Sequence, residues 1–213
     1  MNKILILCAY LFPTLIFSQT KLDENVSVSF SGKTETYEHK EKNAIAKAYF
    51  FNSKEDSYVA MRVGALSNGV PDRKLPKDIA ELKNIYQQVI AEQLKSMAKK
   101  GLFLKDSTQI SVDKHIAYKL RFKGKDSEQE VGESLILYIE GITYVFIYSK
   151  VGSYSIDKKE KFFKSIRINT SSELQQISKP FSYSSALLKI VGSILFLFLL
   201  SRLIKLEKNR NKN

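Results

Sequence analysis

The sequence predicts an α+β domain: a central antiparallel sheet with one long and one short helix packed on it, followed by a C-terminal transmembrane helix. Three observations predict this. One amphipathic helical run of about 22 residues stands alone among several β-rich runs. Those runs come in short alternating or aromatic segments joined by tight turns, the pattern of antiparallel strands with segregated helices. The last apolar stretch is long enough and uniform enough to cross a bilayer.

The elements follow in order. Residues 1–18 read as a secretory signal peptide: Lys3 supplies the positive start, residues 4–17 are apolar apart from Pro13, and Ser18 is the small residue before the cut. The bulky Ile16 departs from that pattern, and an uncleaved signal anchor leaves the domain on the same side. The single cysteine, Cys8, lies inside this run, so the mature chain holds no disulfide and depends on an apolar core.

Residues 26–30 alternate with serines and form a first strand. Residues 46–52 are a short aromatic-rich run, and residues 57–65 follow a polar turn, with Val59, Met61 and Val63 on one face. Residues 67–77 hold Gly69, Pro71 and Pro76 and form a loop. Asp78 then caps a helix, paired with Glu81 in a capping-box-like arrangement. Ile79, Leu82, Tyr86, Val89, Ile90, Leu94 and Met97 share its apolar face, and Gly101 ends it.

After the helix, Tyr118, Leu120 and Phe122 alternate with Lys119, Arg121 and Lys123, a half-buried strand. Two β-rich runs, 133–140 and 142–148, meet at Glu140-Gly141 in a tight hairpin. A short helix over 157–165 buries Phe162, Phe163 and Ile166. Residues 19–168 thus form the domain, 169–185 a polar linker, 186–204 the transmembrane helix and 205–213 a basic tail.

The helical run over 78–100, the hairpin 138–145 and the ending Lys161-Phe162-Phe163-Lys164-Ser165-Ile166-Arg167-Ile168 together resemble the PsbP-like fold over roughly residues 26–168. That fold is shared by an extrinsic photosystem subunit, a nuclear-import accessory factor and many exported bacterial proteins. The resemblance implies a central antiparallel sheet with helices packed on it, and a docking or accessory module rather than an enzyme. The C-terminal anchor is an addition to the family pattern.

Placement follows from the flanks. Residues 186–204 contain thirteen Leu, Ile, Val or Phe and span about 28 Å as a helix, close to the hydrocarbon thickness of a bilayer. Lys189 and Arg202 lie near the ends, where long side chains reach the headgroups. Residues 194–200 are apolar all round, so a surface-lying helix is excluded. Lys205, Lys208, Arg210 and Lys212 follow, and the positive-inside rule puts them in the cytoplasm. The expectation is a single-pass protein of a bacterial inner membrane with a periplasmic domain, the bacterial source being read from Lys/Ile-rich composition and the style of the leader.

The formal charge is +12, but residues 19–185 carry 27 Lys/Arg against 21 Asp/Glu. Much of the excess is therefore topological, and no nucleic-acid partner is expected. The expected partners are the bilayer, through the C-terminal helix, and an envelope protein.

Chemistry is sparse. His39, in Tyr37-Glu38-His39-Lys40-Glu41, has a carboxylate neighbour on either side but no tetrahedral ligand set, and His115 reads as a turn or strand-edge residue. Serines lack a G-x-S-x-G context and glycines are scattered. No catalytic residue, metal site or cofactor is assigned. Asn25 and Asn169 open sequons that matter only in a eukaryotic source. The one candidate interaction surface is the row Lys119, Arg121 and Lys123, which points to one side of its strand. It would meet an acidic protein, glycan or lipid headgroup; the plainer reading is the wet face of a strand. Tyr144 and Tyr148, on a face with Phe146, are either interface tyrosines or the lining of the sheet.

Three functions remain open: a membrane-tethered accessory or interaction domain, a binder of a small or lipid-like ligand between sheet and long helix, and a hydrolase with an unrecognised site. The second predicts an apolar cavity beside Leu82, Tyr86 and Val89. The third predicts a cluster of Ser, His and carboxylate.

Overall fold

The structure is a computed structural model that describes residues 19–169 and 173–178. The signal-peptide and transmembrane expectations fall on residues outside that range. Among the described residues, no helix is long and apolar enough to cross a membrane.

Eleven strands and two helices occur in the order β1 (Gln19–Lys21), β2 (Val26–Ser29), β3 (Glu35–Lys40), β4 (Ala44–Asn52), β5 (Asp56–Ser67), β6 (Val70–Asp72), α1 (Ile79–Ala98), β7 (Leu102–Val112), β8 (His115–Gly124), β9 (Glu130–Ile139), β10 (Ile142–Lys150), α2 (Ile156–Lys164) and β11 (Arg167–Ile168). The large sheet is antiparallel in the order β3-β4-β5-β10-β9-β8-β7, with β6 paired to β5. A second, three-stranded antiparallel sheet runs β1-β2-β11.

The centre of the large sheet is buried on both sides. Strand β9 shows why: Leu135, Leu137 and Ile139 pack in one core with Tyr58, Tyr144, Phe146, Tyr148, β2 and α2. Ile136 and Tyr138 pack in the other, with Leu82, Tyr86 and Met97 of α1. A strand covered on both faces reads as a continuous apolar run, and Leu135–Ile139 is one. The α+β architecture expected from the sequence is therefore present, with one helix on each face.

The local chemistry of each element matches its place. Asp78 caps α1, its Oδ1 accepting from Glu81 N at 2.9 Å. The return bond goes one residue further back than in the usual box, from Lys77 N to Glu81 Oε2 at 2.8 Å. Ser155 caps α2, accepting from Lys158 N. The β9–β10 hairpin turns through Glu140 and Gly141, at φ 53° and 76°, the double positive-φ geometry of a two-residue primed turn. Tyr148 is fully buried against the rings of Tyr58 and Tyr154, and Tyr144 is fully buried in the same core with its hydroxyl donating to Asp23, so both line the sheet.

Residues 174–178, placed in the linker by sequence, lie against the end of the large sheet. Ser178 N donates to Pro76 O at 2.8 Å, Glu140 N to Gln175 O at 2.9 Å, and Gln175 N to the Glu140 carboxylate at 2.6 Å. Leu174 is buried in the core on the α2 side, and Ile177 packs into the core beneath α1. Two apolar side chains in a polar stretch hold this strap in place.

Candidate functional site

The residues of α1 decide where a site can form. Leu82 and Tyr86 seat the first half of the helix on Leu120, Phe122, Ile136 and Tyr138 of β8 and β9. The sheet continues past that seat into β10, β5, β4 and β3. On this continuation Val145 and Ile147 of β10, Met61 and Val63 of β5, and Ala46, Ala48 and Phe50 of β4 point to the same side as α1. Apart from Val145, these side chains are only half-buried. Tyr37 of β3, opposite Ala48, extends the face and is 61% exposed.

Where this uncovered face meets the second half of α1 there is a groove of ≈ 450 Å³. Met61, Val63, Val145 and Ile147 form its floor, with Val89, Gln93 and Met97 on the helix wall. Gln88, Glu92, Ser96, Lys100 and Thr143 supply polar groups around it. Gln93 is fixed from below by a 2.7 Å bond from Nε2 to Ser134 Oγ of the buried strand β9. The volume and mainly apolar lining with a few polar groups are those of a small-molecule site. The sequence places a cavity beside Leu82, Tyr86 and Val89. The first two are packed solid, at 0% and 1% exposed, and the opening lies further along the helix, from Val89 to Lys100.

The row Lys119, Arg121 and Lys123 lies on the opposite face, the side of α2. Each cation has a carboxylate partner within the domain: Lys119 with Glu133 at 3.2 Å, Arg121 with Asp106 at 3.1 Å, and Lys123 with Glu128. The row leads into a partly buried ionic cluster. Lys159 of α2 bonds Glu130 at 2.9 Å and Glu133 at 3.0 Å, and Tyr154 donates to Glu130. Burial raises the Glu130 carboxyl, but the bonds from Tyr154 and Lys159 outweigh it and leave the pKa lowered. Burial likewise opposes the charge on Lys159, and its two carboxylates outweigh that and raise its pKa. Beside it, Lys158 bonds Asp56 and Glu55, both at 2.7 Å, and Tyr148 donates to Asp56. These contacts dock α2 on the sheet. Each charge in them is matched by another.

A smaller cleft of ≈ 210 Å³ at the hairpin end is lined by Lys40, Arg62 and Arg73 with Asp72. Arg62 faces Asp23 at 3.6 Å and Arg73 faces Glu24 at 3.0 Å, so two of its three cations are already paired. His39 is exposed, stacks on Tyr37 and sits 3.2 Å from Glu41. His115 is buried, with Nε2 3.3 Å from Leu174 O and Nδ1 without a partner among the described residues. No group of three or more His, Cys, Asp or Glu among the described residues is placed to hold a metal.

No family model matches the chain, and no curated protein matches it. Among solved structures it is similar to the solution structure of cyanobacterial PsbP from Synechocystis sp. PCC 6803, with 8% identity over 74% of this chain and 96% of that one, at a TM-score of 0.44.

The groove residues on β5 and α1 were legible in sequence as apolar faces. What sequence does not show is that the two faces diverge, because that depends on how far α1 extends across the sheet. Gln93, Thr143 and Ser96 carry no local signal.

Proposed function

We propose that this chain is a membrane-tethered, non-catalytic accessory or interaction module, with its domain on the periplasmic side of a bacterial inner membrane and its C-terminus in the cytoplasm. The apolar run 186–204 and its basic flank support the tether. The observation that carries the binding role is the half-covered sheet: α1 leaves an apolar groove at Val89–Lys100 and an apolar strand face beside it. Apolar surface of this kind, rimmed by polar groups, marks interaction sites on soluble domains. The groove is favoured over the row Lys119, Arg121 and Lys123, each of which has a carboxylate partner within the domain.

The test uses the full chain in its own membranes. Alkaline carbonate should leave it in the pellet, and protease added to spheroplasts should remove the domain while sparing the tail. Mild crosslinking and purification should then recover a bound species that is lost with Val63→Glu and kept when Arg121 is changed to Ala. Extraction by carbonate would refute the tether, and capture lost with Arg121→Ala but kept with Val63→Glu would move the binding surface to the other face.

A further inference from the structure

We propose that the groove between α1 and strands β5 and β10 takes the acyl chain of a bilayer lipid. The inference rests on the membrane-tethered reading above and names the ligand of that site.

The lining comes first. Met61, Val63, Val145 and Ile147 make a floor without a hydrogen-bonding side chain, so a ligand lying on it gains by burying hydrocarbon. Met97 faces the floor from α1, and two flexible thioethers adapt to a chain of variable shape. Gln88, Glu92, Ser96 and Lys100 are exposed and lie at the edge, Glu92 being the one carboxylate, while Gln93 sits on the helix wall with its Oε1 buried and without a partner among the described residues. Lys100 lies at the C-terminal end of the groove and forms no ion pair among the described residues, in contrast to the paired cations of the opposite face. An apolar trough with a cation at one end matches an acyl chain that carries an anionic phosphate head.

The source follows from the strap. Ser178 is bonded to Pro76, two residues before the cap of α1, so the chain leaves the domain beside the start of that helix. Residues 179–185 separate it from the apolar run. Seven residues reach at most about 25 Å, while Val89 lies only about 15 Å along the helix from Ile79. On the membrane-tethered reading, a linker of that length confines the domain to the neighbourhood of a bilayer, where the effective concentration of lipid chains is high.

The experiment reconstitutes the full chain in liposomes of phosphatidylethanolamine and phosphatidylglycerol doped with a phospholipid bearing a diazirine midway along one acyl chain. Irradiation and peptide mass spectrometry then map the labelled sites. The expected result is labelling of two regions, 186–204 and the groove (59–63, 89–97 and 143–147). Ser96→Trp, which fills the mouth from an exposed position, and Val63→Glu, which charges the floor, should each reduce groove labelling at least tenfold and leave 186–204 unchanged. Circular dichroism confirms that both variants are folded.

Labelling of 186–204 alone overturns the proposal and leaves the tether standing. Absence of labelling at 186–204 overturns the tether. A second arm adds a diazirine fatty acid, below its micellar concentration, to liposomes without the labelled lipid; groove labelling in this arm only overturns the bilayer as source. Groove labelling that survives both substitutions, or a protein crosslinked at the same residues in native membranes in place of lipid, also overturns it.

Discussion

The phenol oxygen of Tyr86 and the side-chain amide of Gln176 meet at 3.2 Å across the end of the large sheet. Tyr86, from α1, donates to Ile116 O and accepts from Tyr138 N at 3.0 Å. Gln176, from the strap, donates to Ile116 O at 2.7 Å and Tyr138 O at 2.8 Å, and its Oε1 accepts from Ile116 N at 2.7 Å. The backbones of β8 and β9 stop pairing at Ala117 and Leu137, one residue short of these groups. Two side chains thus satisfy the strand ends that the ladder leaves open. Burial, opposed by the bonds from Tyr138 and Gln176, holds the Tyr86 phenol well above its usual range, so it stays a donor at any physiological pH.

Tyr86→Phe removes that oxygen and leaves Tyr138 N without its partner. The expected cost is about 1–3 kcal/mol, the range for an unsatisfied buried polar group. Gln176→Ala should cost a similar amount and also free the strap. Urea unfolding reads the first effect, and limited proteolysis near 173–178 separates the second variant from the first.

The two kinds of ion pair on the α2 face should behave differently. Arg121 and Asp106 are 41% and 38% exposed, and Arg121→Ala should cost less than about 1 kcal/mol. Lys159 and Glu133 are 12% and 3% exposed, and Lys159→Ala leaves the buried Glu133 carboxylate with Lys119 alone, for a larger loss of up to about 3 kcal/mol. Denaturant midpoints of the two single variants test the contrast.

The same cluster sets a pH dependence. The Glu130 pKa is lowered in the folded state from an ordinary 4.5, so its contribution is fully present above that value and is lost as pH falls through the folded pKa. The Lys159 pKa is raised from 10.5, so its contribution is present below that value and is lost as pH rises through the folded pKa. Unfolding midpoints should therefore fall below about pH 4.5 and above about pH 10.5. Glu130→Gln should flatten the acid limb, and an unchanged acid limb in that variant would refute the assignment.

Gly141 and Gly69 offer a matched comparison. Both have positive φ, 76° and 79°, but a Cβ on Gly141 would lie 2.7 Å from Arg73 Cα, whereas one on Gly69 meets nothing within 4 Å. Gly69→Ala should cost about 1 kcal/mol, the left-handed strain alone. Gly141→Ala should cost at least twice that, because backbone must move. Thermal unfolding of the two variants decides it.

Much of this fold was legible where a signal is local. The cap, apolar stripe and terminal glycine of α1 lie within 24 residues, and the β9–β10 hairpin is announced by its turn. Strands β3, β6 and β7 escaped notice, β6 lying within the stretch 67–77 read as a loop and formed by pairing with the end of β5. Residues Lys105–Gln109 are five polar residues in a row, and their strand conformation is imposed by pairing with β8. The small sheet was also hidden, since β2 pairs with β11 through Ser27 and Arg167, a contact with no local trace. The candidate site divides in the same way. The alternation of Lys119, Arg121 and Lys123 was visible, but their partners Glu133, Asp106 and Glu128 depend on register and loop path. The groove depends on where α1 stops covering the sheet.

That small sheet also constrains the order of assembly. Val26 and Val28 reach full burial only in a core that includes Ile166 and Ile168, about 140 residues later in the chain. Closing so long a loop carries its entropy cost before any contact repays it. A chain that emerges N-terminus first therefore holds β2 paired to β1 on one edge only, its other edge and its valines open until nearly the whole domain has arrived. Maturation is bound to complete delivery, and a chain stalled before residue 167 presents the valines of β2 to whatever quality-control machinery surveys unfinished proteins.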